Sequence, residues 1–480
     1  TDTTSNWFVY HKQNDFGYNN CHYQYLNTVD AKAYATMPFQ TSIGNNDNDN
    51  TANFIVRTPA NVSGGTYVAY LFAHDPNGED NDGMIACGSF SFSGPLYSVN
   101  IGWEPQYVMV KRTDSTGDWK IWDKMRGFHV GSDNRELRAN DSTTESGGGR
   151  NSLSSTGFFE YDAGQLPDGD YIYMAIRAPM MKEPEAGTEV FAIDTATATL
   201  PSFTAGFEPD MAIMRNIGSA GSNNIYSRLT GTDKMYTDST ASAGTYAATV
   251  WDYMDGYSSV NVLLTSMYSY MWKRAKGFFD VVAYTGNGTA GRTVNHSLGV
   301  VPEMMWVKNR DYTHSWQVQH KDLPASNTFW LDDVWGTQTA WGSVWNSTYP
   351  SDSTFTIGTN GTVNDSTSPY IAYLFATLDG ISKVGSYTGN GSNQNIACGF
   401  SAGARFVLIK RTDSTGDWYI WDTTRGIVAG NDPHLSLNTT AAEVTTDDSI
   451  DPQSAGFTVN QVSATNINVT SATYIFLAIA

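Results

Sequence analysis

Tryptophan returns at one fixed place in this sequence, eight residues after a basic side chain. Lys111 leads to Trp119, Lys308 to Trp316 and Lys410 to Trp418. An indole brings a large apolar area and a single N–H that needs a partner, so its repetition fits two chemistries. The first is closure of a small core, which is the expectation here. The second is stacking on sugar rings, which makes Trp119, Trp316 and Trp418 candidate binding residues. In one further copy Arg215 and Asn223 replace the pair, and in the opening copy Trp7 follows Thr1 at the same offset as Trp119 follows Thr113.

Other reactive side chains show less order. The densest acidic stretch, Asp75 to Gly83, places Asp75, Asn77, Glu79 and Asp82 on a Gly-containing loop, an oxygen-rich set suited to Ca²⁺. Its spacing fails the twelve-residue calcium loop, because Asp80 stands where that loop requires Gly. The eight histidines are scattered without His-Glu-x-x-His or a Cys/His cluster, so no metal centre and no cofactor is expected. Neither a Gly-x-Ser-x-Gly elbow nor a phosphate loop occurs. Paired carboxylates for glycoside cleavage are set by space rather than by sequence, and the acidic residues gather in loops beside Gly and Asn. Four places after the recurrent aromatic the residue is Asp123, His320 or Asp422, with His11 in the opening copy. A catalytic acid or base does not change class so freely, and a surface or hairpin-pair position is expected. No catalytic residue is assigned, and the chain is read as non-enzymatic.

The elements that carry these residues repeat as well. Lys111-Arg-Thr-Asp-Ser-Thr-Gly-Asp-Trp119 returns as Lys410 to Trp418, and an apolar run opened by Tyr67, Tyr171, Tyr268, Tyr370 and Tyr474 recurs about every 100 residues. Five units follow, at 1–75 (cut short), 84–178, 187–276 (divergent), 277–378 and 380–480. Within the last, Arg405–Lys410 is a continuous apolar run between turn signals, hence a strand buried on both faces, and it makes a hairpin with Trp418–Asp422 through Asp413–Asp417. Helical periodicity is absent. The fold expected is all-β, a tandem array of about five small antiparallel β-sandwich modules, with a ring-like or propeller-like arrangement as the alternative. Linkers as short as Lys276-Gly277 predict a stiff rod or a compact cluster.

Bulk properties narrow the partners. The 480 residues exceed what one core can bury, and a net charge of −20 argues against nucleic acid. No stretch is long and apolar enough for a helical membrane span. Cys21, Cys87 and Cys398 cannot all pair, and Cys87 and Cys398 are read as small buried hydrophobes. Thr1 aligns with Thr113 and Thr412, each of which follows Lys-Arg, so the sequence is expected to begin inside a module, through precursor cleavage or because the opening strands are missing.

With these phrases assembled, the chain resembles a repeat family of marine tailed phages, cyanophages in particular. The resemblance rests on Tyr284–Gly288 and Tyr387–Gly391 (Tyr-Thr-Gly-Asn-Gly), on Phe207-Glu208-Pro209, on Ile409–Trp418 and on the closing Thr473–Ala480. It covers nearly the whole chain, is strongest over Gly380–Ala480 and is weakest over 187–276. It implies a virion structural protein, tail-fibre-like and host-contacting, at the particle surface. The partners implied are other virion proteins and a host surface glycan or protein, with symmetric homo-oligomers common among such proteins. A capsid-decorating protein and a secreted carbohydrate-binding adhesin are the alternatives. The family pattern carries no catalytic residue to transfer.

Overall fold

The computed structural model describes the chain except residues 1–4, 15, 18–19, 36–38, 41–54, 57–61, 75–82, 95–96, 132–133, 150, 161–165, 179–180, 247–248, 260–265 and 339–340. It is built almost wholly of antiparallel sheets and divides into two compact units, Thr1–Met180 and Met181–Ala480. Among the described residues the α-helices are single turns at Gly342–Trp345 and Gly361–Asn364.

The fifth module shows the plan. Its larger sheet runs, in spatial order, Ser382–Thr388, Thr473–Ile479, Phe406–Arg411, Trp418–Asp422 and Leu435–Ser436. The Tyr474 run is therefore sandwiched between the module's first strand and the Lys410 strand, pairing Tyr474 with Tyr387 on one side and with Arg411 on the other. A three-stranded sheet, Gln394–Ala397, Gly456–Val459 and Ile450–Gln453, covers one face. Within this sheet Gly456 lies tight against the neighbouring strand, where a Cβ would meet the Ile396 carbonyl at 2.1 Å. Modules two, three and four repeat this order, with the tyrosine-led strand flanked on both sides.

Strand parity decides what each side chain meets. Val407 and Ile409, with Tyr474, Phe476 and Ala478 of the next strand and Trp421 of the hairpin, pack against the smaller sheet as the core of the module. Modules three and four hold separate cores of the same kind. The alternate residues Phe406, Leu408 and Lys410 lie on the opposite face and are as deeply buried. Arg405–Lys410 is thus covered on both faces as its composition predicts, but the second cover is another module. Phe406 contacts Phe191, Tyr270 and Trp272 of the third module at ring distances of 5.3, 5.6 and 5.7 Å. Modules three and five therefore share aromatic contacts beyond their private cores.

Two further expectations change. Trp119, Trp316 and Trp418 do not belong to the face that closes their own module. Trp418 and Trp421 are three apart on one strand, so they point to opposite faces, and it is Trp421 that enters the core. The run Tyr67–Ala73 forms no strand and is exposed. The divergent third module keeps the full topology despite losing the Trp and Lys-Arg signature.

Candidate functional site

The repeated signature builds a clamp between modules. Within the second unit, Trp418 Nε1 donates to the Trp330 carbonyl of the fourth module at 3.0 Å. Lys410 Nζ, wholly buried, donates to the carbonyls of Gly416 at 2.5 Å and Asp333 at 3.3 Å. Gly416 N–H donates to the Val334 carbonyl at 2.9 Å, and Thr337 N–H reaches back to the Thr412 carbonyl at 2.9 Å. The fourth module grips the third in the same way, through Trp316 Nε1 to the Tyr236 carbonyl at 2.8 Å and Lys308 Nζ to the Thr240 carbonyl at 3.0 Å. In the first unit Trp119 Nε1 donates to the Tyr25 carbonyl at 2.8 Å and Lys111 Nζ to the Val29 carbonyl at 3.0 Å.

The third module closes the cycle with different side chains. Asn223 Nδ2 donates to the carbonyls of Ser436, Leu437 and Thr439 of the fifth module at 3.0, 2.9 and 3.1 Å. Arg215 Nη1 donates to the Thr439 carbonyl at 3.0 Å and Nη2 to the Ala441 carbonyl. So module four holds three, five holds four, and three holds five. An amide and a guanidinium here replace an indole and an ammonium, donating to the same type of backbone edge.

Most letters of the repeated phrase have a task. Arg411 pairs its neighbour Asp413 at 2.9 Å, and Arg112 pairs Asp114 at 2.7 Å. Thr412 and Thr113 hydroxyls donate to the carbonyls of Thr473 and Asp170, tying the loop to the tyrosine-led strand. Asp417 and Asp118 accept from Asn438 and Asn140 at 2.9 Å, and those asparagines accept the backbone N–H of Trp418 and Trp119 at 2.8 and 2.7 Å. Asp332, Asp238 and Asn27 serve Trp316, Asn223 and Trp7 likewise. These carboxamide and carboxylate anchors lie 15 to 21 residues downstream of the side chain they serve and were missed from sequence; an Asn or Asp within that range is the signal that marks them.

Burial sets the electrostatics. It lowers Lys410 to about 7 and both Lys308 and Lys111 to about 8, against the pull of nearby aspartates. Asp422 and His320, read as surface or hairpin-pair positions, are hairpin-paired with Phe406 and Met304 and are fully buried, which corrects the surface reading. Asp422 accepts from Tyr270 of the third module at 2.9 Å and from its own Arg425, which also reaches Glu443 at 3.1 Å. Burial pushes the Tyr270 hydroxyl well up and takes His320 down to about 4, leaving that imidazole neutral.

The three indoles offered as sugar-binding residues are 4%, 0% and 0% exposed, so no ring face is presented to a ligand in this conformation. Asp75, Asn77, Glu79 and Asp82 lie outside the described residues. Among the described residues no group of three or more His, Cys, Asp or Glu could hold a metal ion, and no helix is long and apolar enough to cross a membrane. Cys398 is buried and Cys87 only partly so, both as free thiols, and nothing is described of the Cys21 side chain.

One family model, a domain of unknown function (DUF7483), matches residues 1–179 and 190–480. The chain belongs to the DUF7483 family. Its two matched ranges follow the two compact units, the first spanning two modules and the second three. No curated protein and no solved structure matches this DUF7483 chain.

Proposed function

We propose that this protein is a non-enzymatic structural component of a phage particle, a tail-fibre or surface appendage that contacts the host. The observation that carries the reading is the use of the most repeated polar phrase. Lys-Arg-Thr-Asp-Ser-Thr-Gly-Asp-Trp is consumed in joining one module to the next, with its lysine and indole buried against neighbouring backbone. A sequence that repeats its costliest buried contacts to fix geometry suits a protein whose work is to hold a shape. Polar loops are left to vary on such a frame, which is where attachment surfaces reside.

Immunogold imaging of intact virions with an antibody to this chain tests the reading. Label at the tail or on the capsid surface is expected. Particles that never label, while the same antibody binds the purified chain, overturn it.

A further inference from the structure

Modules three and four stitch the edges of their two sheets together, and module five does not. In the fourth module Phe279–Thr285 is the end strand of the larger sheet and Arg292–Asn295 belongs to the smaller one. Asp280 on the first accepts the Ser297 N–H at 2.7 Å while it pairs with Arg274 at 2.7 Å. Arg292 on the second donates to the Thr285 carbonyl and lies over the Tyr284 ring at 5.6 Å. In the third module Asp194, on the end strand Phe191–Thr195, accepts the N–H of Thr204 from the smaller sheet at 2.7 Å.

Register assigns the matching positions of module five. Tyr387 pairs with Tyr474 as Tyr284 pairs with Tyr370, so Lys383 stands where Asp280 stands. Ile396 pairs with Phe457 as Val294 pairs with Phe355, so Gln394 replaces Arg292. Neither replacement makes the stitch: no hydrogen bond joins Ser382–Thr388 to Gln394–Ala397, and Gln394 Oε1 is buried without a donor. A cleft of about 430 Å³ opens between these two strands, with Lys321 and Asp322 of module four also lining it. Its size lies within the range of ligand sites, roughly 300–1,000 Å³. Lys383 pairs with no carboxylate among the described residues, and Lys321 shares Glu303 at 2.9 Å. Ser386 adds a hydroxyl. Phe476 takes the space left by Gly385, where a Cβ would meet its ring at 2.7 Å, and gives the cleft an apolar wall.

The lining selects a ligand chemistry. On a chain of net charge −20, two ammonium groups in one cleft reverse the local sign and favour an anion. A buried carbonyl oxygen without a donor is costly, so Gln394 Oε1 calls for a ligand hydroxyl. We propose that this cleft binds a uronic acid residue, with the carboxylate on Lys383 and Lys321, a ring hydroxyl donating to Gln394 Oε1 and a C–H face of the ring against Phe476. The site stands on the module's own geometry and does not depend on where the chain resides, so its failure leaves the particle reading intact. A free sugar acid and a uronate within a polysaccharide share this chemistry.

Titration of the full 480-residue chain with D-glucuronate, an alginate trisaccharide and D-glucose tests the proposal. Both acids are expected to bind at millimolar concentrations or below, and glucose much more weakly. Tighter binding of the trisaccharide assigns the cleft to a polysaccharide, whereas equal or tighter binding of glucuronate assigns it to the free acid. Lys383→Ala is expected to weaken binding by roughly tenfold or more, the loss of a charge-assisted hydrogen bond. Gln394→Leu, which removes only the unpaired acceptor, is expected to weaken it by roughly fivefold and carries the test if Lys383→Ala alters the circular dichroism. Lys182→Ala, at an 80% exposed lysine outside the cleft, is expected to leave binding unchanged. Absence of binding by both acids overturns the proposal. Glucose binding as well as glucuronate overturns it, and so does an equal loss for Lys182→Ala and Lys383→Ala.

Discussion

Trp418 Nε1 donates to the Trp330 carbonyl at 3.0 Å, so the most recurrent side chain of the fifth module is completed by the backbone of the fourth. The contact joins a large buried surface to a hydrogen bond that no residue of its own module can make. Its loss is felt by two modules at once.

Replacing Trp418 by Ala is expected to destabilise the second unit by about 3–5 kcal/mol, the cost of a large side chain lost from a packed site. Trp418→Phe keeps much of the apolar area but strands the Trp330 carbonyl, at about 1–3 kcal/mol. Urea denaturation of the full chain measures both. A loss below 1 kcal/mol for the Ala variant would show that the indole does not carry the junction.

The junction between the third and fifth modules has its own chemistry. Asn223→Ala leaves backbone carbonyls of the fifth module without the amide donor and is expected to cost about 1–3 kcal/mol. Arg215→Lys together with Asn223→Trp recreates the pair used elsewhere. Because Arg215 and Asn223 bond each other at 3.0 Å, the double variant should be less damaging than the sum of its parts, with a coupling of about 0.5–3 kcal/mol in a double-mutant cycle.

Buried lysines give the second unit a pH dependence of definite sign. Lys410 and Lys308 hold about 7 and 8 in the fold against 10.5 for an ordinary lysine. Above those values the unfolded chain binds more protons than the folded one, so stability rises with pH from about 7 toward 9, by up to ~1.4 kcal/mol per unit for each lysine. The buried Cys398 thiol, raised to about 12 from 9.0, opposes this only above pH 9. Lys410→Met is expected to flatten the rise between pH 7 and 9, read from urea midpoints across that range. An unchanged slope counts against the buried ammonium.

The Tyr270–Asp422–Arg425 group crosses the same junction at greater depth. Asp422→Ala leaves Arg425 buried with only Glu443 and backbone carbonyls, and is expected to cost about 3–5 kcal/mol. Tyr270→Phe removes one donor to a charged acceptor and should cost about 1.5–3 kcal/mol. Thermal unfolding of both variants, ranked against wild type, checks the order. Equal losses would mean that the aspartate acts only through Tyr270.

Much of the frame was legible in the sequence. The tyrosine-led runs, the Arg405–Lys410 strand and the hairpin to Trp418 follow from apolar continuity bounded by turn residues, and the sheets show them in those places. The destination of the tryptophan was not legible, because a strand buried on both faces leaves parity as the sole guide. Trp418 and Trp421 compete for one core, and the pattern does not say which loses. The roles of Asn223 and Arg215 were hidden for another reason: the interface selects donors to backbone carbonyls, and that property survives a complete change of residue type. Tyr67–Ala73 misled because a run can be strand-like in composition while no described strand pairs with it.

Closure of the contact cycle among modules three, four and five has a consequence for length. In an open solenoid a repeat can be duplicated or dropped with little harm, since each copy meets only its neighbours in line. Here the last copy must return to the first, through Asn223 and the Ser436–Ala441 backbone. Within the second unit the cycle therefore needs all three copies, since removing any one leaves the donors of another without their acceptor carbonyls.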